Sequence, residues 1–555
     1  MDNQRLFLFL ALALVVMLLW DAWQKDYGPK PPASVVSETL PKPAPAAVPE
    51  APPSVVSDTG AVPGAPPGQS QVMASPVPAA VSGERIEIIT DLLRLVVDTA
   101  GGDIRQAYLL AHPEKIDVED SPIRLFNDEL PDLFLSQTGL SSSTGAAPDH
   151  RADYRAEKSS YILDAGMDTL EIPLTWSNDQ GLRVTKRYIL HRDSYLIELD
   201  ISIENQGSEP WSGSFYRQLQ RTKIAEKNQS SFIYTYMGGA FSSSFKNYEK
   251  VTFEEMSEWK PQESYLTGGW AAMIQHYFIA AWIPPTEELN HYYSKALSDG
   301  RYNVGMVTQA QTVTPGASHN FKSNLYVGPK EQDRMEHAAP NLDKTVDYGF
   351  LFFIAKPLFI VLDFLHEHLG NWGWSIIILT MMIKLIFYKL SETSYRSMAR
   401  MRKFQPKIMA LRERYGNDKQ RMSQAMMDLY KKEKINPLGG CLPIAVQIPV
   451  FIALYWVLLE SVELRQADFI FWIKDLSTKD PYYVLPVLMG ISMFVQQRLN
   501  PAPMDPIQKK VLTFLPLVFT FFFMLFPSGL VLYWVVNNLL SIAQQWYITQ
   551  KIEKG

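Results

Sequence analysis

Hydrophobic and polar positions follow two different rules along this chain. From about residue 83 to residue 325 they alternate in short runs. In SYLIELDISIENQG, Tyr195, Ile197, Leu199, Ile201 and Ile203 alternate with Glu198, Asp200, Ser202 and Glu204, the period of a strand with one face in water. RIEIIT and LLRLVVDT are further strand-type runs, the second followed by the turn-forming Gly101-Gly102-Asp103. Such runs, broken by turns and never alternating with long helices, predict a large all-β sandwich over 83–343.

Elsewhere apolar residues come in blocks. Residues 6–20 form an unbroken apolar run between Arg5 and Asp21. The following Asp21-Ala22-Trp23-Gln24-Lys25 is a poor cleavage site, so 1–24 reads as an uncleaved signal-anchor span with a cytoplasmic N-terminus. Residues 25–82 read as a semi-extended tether, with 14 prolines in 28–82 and too little apolar material to fold. Residues 344–369 mix apolar faces with Asp347, Lys356, Asp363, His366 and Glu367, a pattern for an amphipathic helix lying on a membrane surface. Apolar segments follow at about 372–390, 442–459, 482–498 and 511–548. Phe526-Pro527-Ser528-Gly529 splits the last into 511–526 and 529–548. The expected fold is a membrane α-helical bundle of six spans, five of them in 370–555, joined to the β domain.

Charge sets the orientation. Residues 1–343 carry 28 Lys and Arg against 43 Asp and Glu, a net of −15, while residues 344–555 carry 24 against 15, a net of +9. The loop 389–436 holds 13 basic residues against five acidic ones, and 460–481 holds three against five. Basic loops stay inside, so both termini are expected in the cytoplasm and the β domain outside it. The single cysteine, Cys441, excludes an intrachain disulfide. Within 391–434, Met401, Phe404, Ile408 and Leu411 precede a stop at Gly416-Asn417-Asp418, and Met422, Met426 and Leu429 repeat the pattern. This predicts a helical hairpin. Its Arg400, Arg402, Lys403, Lys407, Arg412 and Arg414 are candidate contacts, either a solvated face that obeys the topology rule or a surface for ribosomal RNA or anionic lipid.

No catalytic or metal-binding signature is present: there is no HExxH, P-loop, CxxC or strand-linked GxGxxG, and no cofactor is expected. The chemistry sits in polar residues inside the apolar blocks. Thr380, Lys384 and Tyr388 recur at i, i+4 and i+8; Gln447 lies between Pro443 and Pro449; Trp534, Asn538, Ser541 and Gln545 follow helical spacing. Polar groups in hydrocarbon must pair or face water. These stripes either bind helices to one another or line a hydrated cavity. Lys384 has no Asp or Glu within the apolar core of any expected span. It either snorkels toward the interface near Lys389 or sits beside water.

The stretches GNWGWSIIILT, SMARMRKFQPKIMALRERYGNDKQRMSQAMMDLYKKEKINPLGGCLP, SVELRQADFIFWIKDLSTKDPYYVLPVLMG and FPSGLVLYWVVNNLLS closely resemble the YidC/Oxa/Alb family of membrane protein insertases, across about 344–550. The layout of anchor and outer domain is similar to the Gram-negative members. The resemblance implies a non-enzymatic insertase and folding chaperone of the bacterial inner membrane, with its large domain in the periplasm. It would act on nascent membrane proteins, alone or with the Sec translocon and its accessory subunits. It also implies a hydrophilic groove whose positive residue falls at Lys384, where the family usually carries arginine. Thr380, Gln447 and Trp534 match groove-lining positions, and Tyr533 and Asn538 complete the candidate set. Lysine keeps the charge and loses the bidentate fork. Only five residues follow Gln550, whereas relatives with long basic tails use them on ribosomes, so ribosome contact is left open. A solute transporter or channel would instead call for paired intramembrane charges or internal repeats. An envelope scaffold would place the function in the β domain.

Overall fold

The computed structural model describes residues 83–116, 118, 121–223, 235–416, 418–433, 442–500 and 506–554. The expected anchor at 1–24 and tether at 25–82 lie outside the described residues. The first half is rich in β-sheet and holds three sheets, of five, nine and six strands. The alternating segment forms strand Leu196–Asn205, with Ile197, Leu199, Ile201 and Ile203 buried. It pairs antiparallel with Ser318–Pro329 on one side and Leu182–His191 on the other. Strand Trp211–Thr222 carries the six-stranded sheet and pairs with Phe134–Ser142 and Arg301–Thr308.

The turn at Gly101 and Gly102 needs positive φ angles of 84° and 59°, which glycine adopts without a Cβ clash. A buried lysine fixes it. Lys186 Nζ donates to Gly101 O at 2.6 Å and to Thr138 O at 3.3 Å, and Tyr188 OH donates to Gly102 O at 2.7 Å. The Asp103 carboxylate lies 3.9 Å from the ammonium and accepts the Thr138 amide at 3.0 Å. Burial raises the Asp103 carboxyl to about 7, with Lys186 and Arg105 opposing. Burial also lowers the Lys186 ammonium to about 8.

From the end of the β domain the chain turns helical. Helix α1 is Gln332–Ala338 and α2 is Phe352–Leu369. Next come α3 (Trp372–Ile386), α4 (Tyr388–Lys403), α5 (Gln405–Tyr415), α6 (Lys419–Lys432) and α7 (Leu442–Glu460). The last three are α8 (Val484–Leu499), α9 (Pro506–Phe523) and α10 (Ser528–Lys554). Among the described residues, Gly349–Leu369 is the one helix long and apolar enough to cross a membrane. The pair α3 and α4 also qualifies, bent by 67° at Phe387. Val446–Glu460, Val484–Leu499 and Lys510–Phe523 are apolar but shorter. By length and composition, then, one or two spans stand out rather than six. The bend shortens one candidate, and Asn537, Asn538, Gln544 and Gln545 dilute another.

Helix α2 buries Ala355, Phe359 and Leu362 while Phe352, Phe353, Ile360 and Phe364 stay exposed. Its Lys356 is tied to Glu336 at 2.7 Å and Asp343 at 2.8 Å. The hairpin is more broken than its spacing predicts. Phe404 ends α4 and precedes α5, and Asp418 caps α6 by accepting the Arg421 amide at 3.0 Å. Ile408 and Met426 are buried.

A buried joint ties the β domain to α7. Lys330, which follows strand Ser318–Pro329, pairs with Glu460 at 3.1 Å, both almost fully enclosed. His276 Nε2 donates to Leu459 O at 3.0 Å, and Gln332 Nε2 to Tyr348 OH at 2.7 Å. Burial lowers the His276 imidazole to about 3, so it is neutral and its tautomer fits this donation. Arg465 Nη2 adds a bond to Pro113 O at 2.8 Å.

The Asp103 site has a pH signature. Its carboxyl holds a proton more tightly folded than unfolded, where the ordinary value is 3.8. The resulting stability is complete below pH 4 and is lost as pH rises through 7, a loss on the order of 4 kcal/mol. Asp103→Asn cannot ionise and should flatten this slope. Hydrogen exchange of the amides in Phe134–Ser142, measured on the full chain from pH 4 to pH 7.5, would reveal the difference. Parallel slopes in both proteins would contradict it.

Candidate functional site

Helix α3 starts with a side-chain cap, the Asn371 carboxamide oxygen accepting the Trp374 amide at 3.1 Å. About three and a half turns on, the helix carries Lys384 just before the bend at Phe387. The bend swings α4 off the axis of α3, so Ser391, Ser394 and Tyr395 face the same space as Lys384. Helix α7 brings Gln447 and Phe451 to that space, and α10 brings Tyr533, Trp534, Asn537 and Ser541. Gln496 of α8 and Asn500 just beyond it complete the polar lining. The cavity is partly open and has a volume of about 260 Å³.

A hydrogen-bonded chain runs along one wall. Lys384 Nζ donates to Ser541 Oγ at 2.7 Å, and Ser541 Oγ donates to Asn537 O at 2.7 Å. Gln447 Nε2 donates to Asn537 Oδ1 at 2.6 Å. Thus the ammonium reaches across to α10 and does not snorkel along its own helix. Aromatic rings pack the neighbouring wall: Phe451 meets Trp534 edge-on at 4.5 Å, and Phe523 lies 5.0 Å from Trp534. No Asp or Glu among the described residues lines the cavity, so its formal charge is that of Lys384.

The sequence-derived residues divide into two groups. Lys384, Gln447, Tyr533 and Trp534 line the cavity together. Thr380 and Asn538 do not. Thr380 is buried and returns its hydroxyl to Ile376 O at 2.6 Å on its own helix. Asn538 Nδ2 donates to Ser492 Oγ of α8 at 3.0 Å. Gln545 Nε2 likewise donates to Asn500 Oδ1 at 3.0 Å and Leu499 O at 3.2 Å. Tyr388 leaves the stripe of Thr380 and Lys384 because the bend precedes it.

Helix geometry explains the split on α10. With 100° per residue, Asn537 and Ser541 lie about 60° and 20° to one side of Trp534, and Asn538 and Gln545 about 40° and 20° to the other. One side faces the cavity and the other bolts α8. Reading the stripe from Trp534 at i+4 selected Asn538 and missed Asn537. Ser391, Ser394, Tyr395 and Gln496 were missed too; the signal available was the i, i+3 spacing of the serines at the start of α4.

On the hairpin, Arg400, Arg402, Lys403, Lys407 and Arg414 are exposed. Lys407 pairs with Glu433 at 3.3 Å. The side chain of Arg412 lies outside the described residues.

Two known families match this chain in turn. Residues 85–361 match the YidC periplasmic domain, and residues 364–555 match the 60Kd inner membrane protein family. The membrane protein insertase YidC of Nitrosococcus oceani is 50% identical over the full length of both chains. That of Methylococcus capsulatus is also 50% identical, over 100% of this chain and 99% of its own. A crystal structure of an active YidC insertase with its first transmembrane domain resolved matches with a TM-score of 0.37 and 17% identity, over 84% of this chain and 93% of that one.

The two sides of α10 should differ in water access. In a chain with Cys441→Ser, single cysteines at Gln447 or Asn537 should react with a hydrophilic maleimide in membranes. Cysteines at Asn538 or Thr380 should be protected, with rates lower by about tenfold or more, as expected for groups packed against a helix. Equal rates at all four sites would contradict the division.

Proposed function

The chain belongs to the YidC/Oxa/Alb family of membrane protein insertases, and we propose that the cavity around Lys384 is where it receives polar segments of its substrates. It is a membrane protein insertase of a bacterial inner membrane, with a β domain of the periplasmic type. Its partners are nascent membrane proteins and the lipid bilayer. The process is transfer and not catalysis: no covalent bond of the substrate is made or broken.

We further infer six spans, at 1–24 and at about 372–390, 442–459, 482–498, 511–526 and 529–548, with both termini cytoplasmic. Supporting this are the charge bias of the loops and helices α3 and α7 to α10, which share one apolar bundle. Helix α2 would lie at the interface, a reading supported by its tethering to the β domain through Lys356. On this reading the basic hairpin is cytoplasmic. Its exposed Arg400, Arg402, Lys403, Lys407 and Arg414, together with Arg412, would meet substrate, anionic lipid or the ribosome. The Sec translocon with its accessory subunits is a further proposed partner, resting on family membership alone, as does a role in folding.

The observation that carries the proposal is a lysine in an otherwise uncharged polar cavity, held by a hydroxyl instead of a carboxylate. A hydrated pocket lowers the cost of bringing a polar segment partway across the bilayer. The ammonium adds attraction for acidic residues. Release of the substrate's apolar helix into lipid then supplies the largest favourable term. Thr380 and Asn538 would support the pocket from behind, by packing.

Lys384→Arg should preserve insertion, because it keeps the charge. Lys384→Glu should reduce insertion of substrates with acidic translocated tails by about tenfold or more, since juxtaposed like charges cost several kcal/mol. A small phage coat-like protein and an ATP synthase ring subunit, scored in depleted cells complemented with each variant, provide the assay. Wild-type insertion by the Glu variant would remove the electrostatic part of the mechanism.

A further inference from the structure

We propose that the turn at 469–473 is a lipid anchor that sets Ile470 and Phe471 into the leaflet on the β-domain side of the membrane. The proposal rests on the reading of α3 and α7 to α10 as membrane helices.

The turn lies in the loop between α7 and α8. It is closed by two backbone bonds, Phe469 N to Ile473 O at 3.0 Å and Ile473 N to Ile470 O at 3.2 Å. Phe471 stands at its tip with φ of 56°. This is the left-handed region, where an aromatic residue is disfavoured and glycine or asparagine is the usual choice. The Phe471 side chain is 81% exposed, and no large hydrophobic side chain among the described residues is more so. Ile470 beside it is exposed as well. A turn facing water would gain twice from a small polar residue here, in backbone strain and in solvation. A turn facing hydrocarbon recovers the second loss.

The base of the turn is rigid, so the tip cannot fold back. Asn371 Nδ2 donates to Asp468 O at 3.3 Å and to Phe469 O at 3.2 Å. The Phe469 ring sits so close to Gly373 that a Cβ there would lie 2.0 Å from it. Trp472 Nε1 donates to Asp480 Oδ1 at 3.0 Å, and Ile473 is buried. The same loop is pinned to the first turn of α10, where Gly529 N donates to Leu476 O at 2.9 Å.

Lipid is the occupant because the tip continues a surface that faces lipid. The Phe469 ring contacts Trp374 at 5.6 Å. Trp374 is half-exposed and shares one face of α3 with the exposed Met381 and Leu385, seven and eleven residues on. Exposed Tyr482 and Tyr483 immediately precede α8 at the same end of the bundle. Aromatic residues gather at this depth in membrane proteins, and exposed Lys474 follows within reach of lipid phosphates.

The test uses the full chain with Cys441→Ser and one cysteine, at Phe471, Phe514 or Asp179, labelled with an environment-sensitive fluorophore. The protein is reconstituted into phosphatidylethanolamine–phosphatidylglycerol vesicles with brominated acyl chains. Phe514 is exposed on α9 and reports a span in lipid; Asp179 is exposed on the β domain and reports water. The expected result is loss of fluorescence at Phe471 close to that at Phe514 and well above that at Asp179. Quenching at Phe471 no greater than at Asp179, with Phe514 quenched, overturns the anchor and leaves the spans standing. A Phe471 label shielded from both lipid bromine and aqueous iodide marks a protein contact and also overturns it. An unquenched Phe514 overturns the reading of the spans and the anchor with it.

Discussion

The Lys384 ammonium is placed among apolar helices with a serine hydroxyl as its protein partner. A buried charge of that kind is stable only if it is hydrogen-bonded and can still reach water or an opposite charge. Ser541 meets the first need and donates its own hydroxyl hydrogen bond to the Asn537 carbonyl of α10. The cavity meets the second. Each helix around it is held in the orientation this arrangement needs. The bend at Phe387 brings the serines of α4 over the site, and the Gln447–Asn537 bond sets α7 against α10. A carboxylate in place of Ser541 would neutralise the site and leave little attraction for an acidic segment. Neutral partners leave the positive charge available.

The other end of the bundle is organised by burial of charge with its complement. Lys330 and Glu460 are both enclosed, so neither is separable from the other without leaving an unpaired buried ion, a strongly destabilising event. The pair couples the last strand of the β domain to the end of α7. That helix carries Gln447 thirteen residues earlier, about 20 Å along its axis. The β domain and the cavity wall are therefore joined through one helix, which carries Pro449 between the two points.

Much of this was legible in the sequence because it repeats. Five alternating residues at 195–203 located a strand, and blocks of apolar residues located the helices. Lys384 stood out as a charge in an apolar run. What was not legible depended on angles finer than a stripe. Asn537 and Asn538 are neighbours in sequence, yet only one faces the cavity, and choosing between them requires knowing where α8 packs. Tyr388 left its stripe because of a bend without proline or glycine at the break. Ser391 and Ser394 looked like part of a solvated basic hairpin, since the same bend determines that they turn inward. The Lys330–Glu460 pair joins residues 130 positions apart, a separation at which no local pattern operates.

The adjacent asparagines of α10 also restrict how the site can open. Asn537 holds α7 through Gln447, while Asn538 holds α8 through Ser492. Rolling α10 about its axis would break both bonds at once and carry a buried amide toward hydrocarbon. Sliding α7 away from α10 breaks only the first and leaves the amides of Gln447 and Asn537 facing the widened space. Two neighbouring amides thus tie α10 to a different helix on each side, so its rotational setting is fixed by both bonds together.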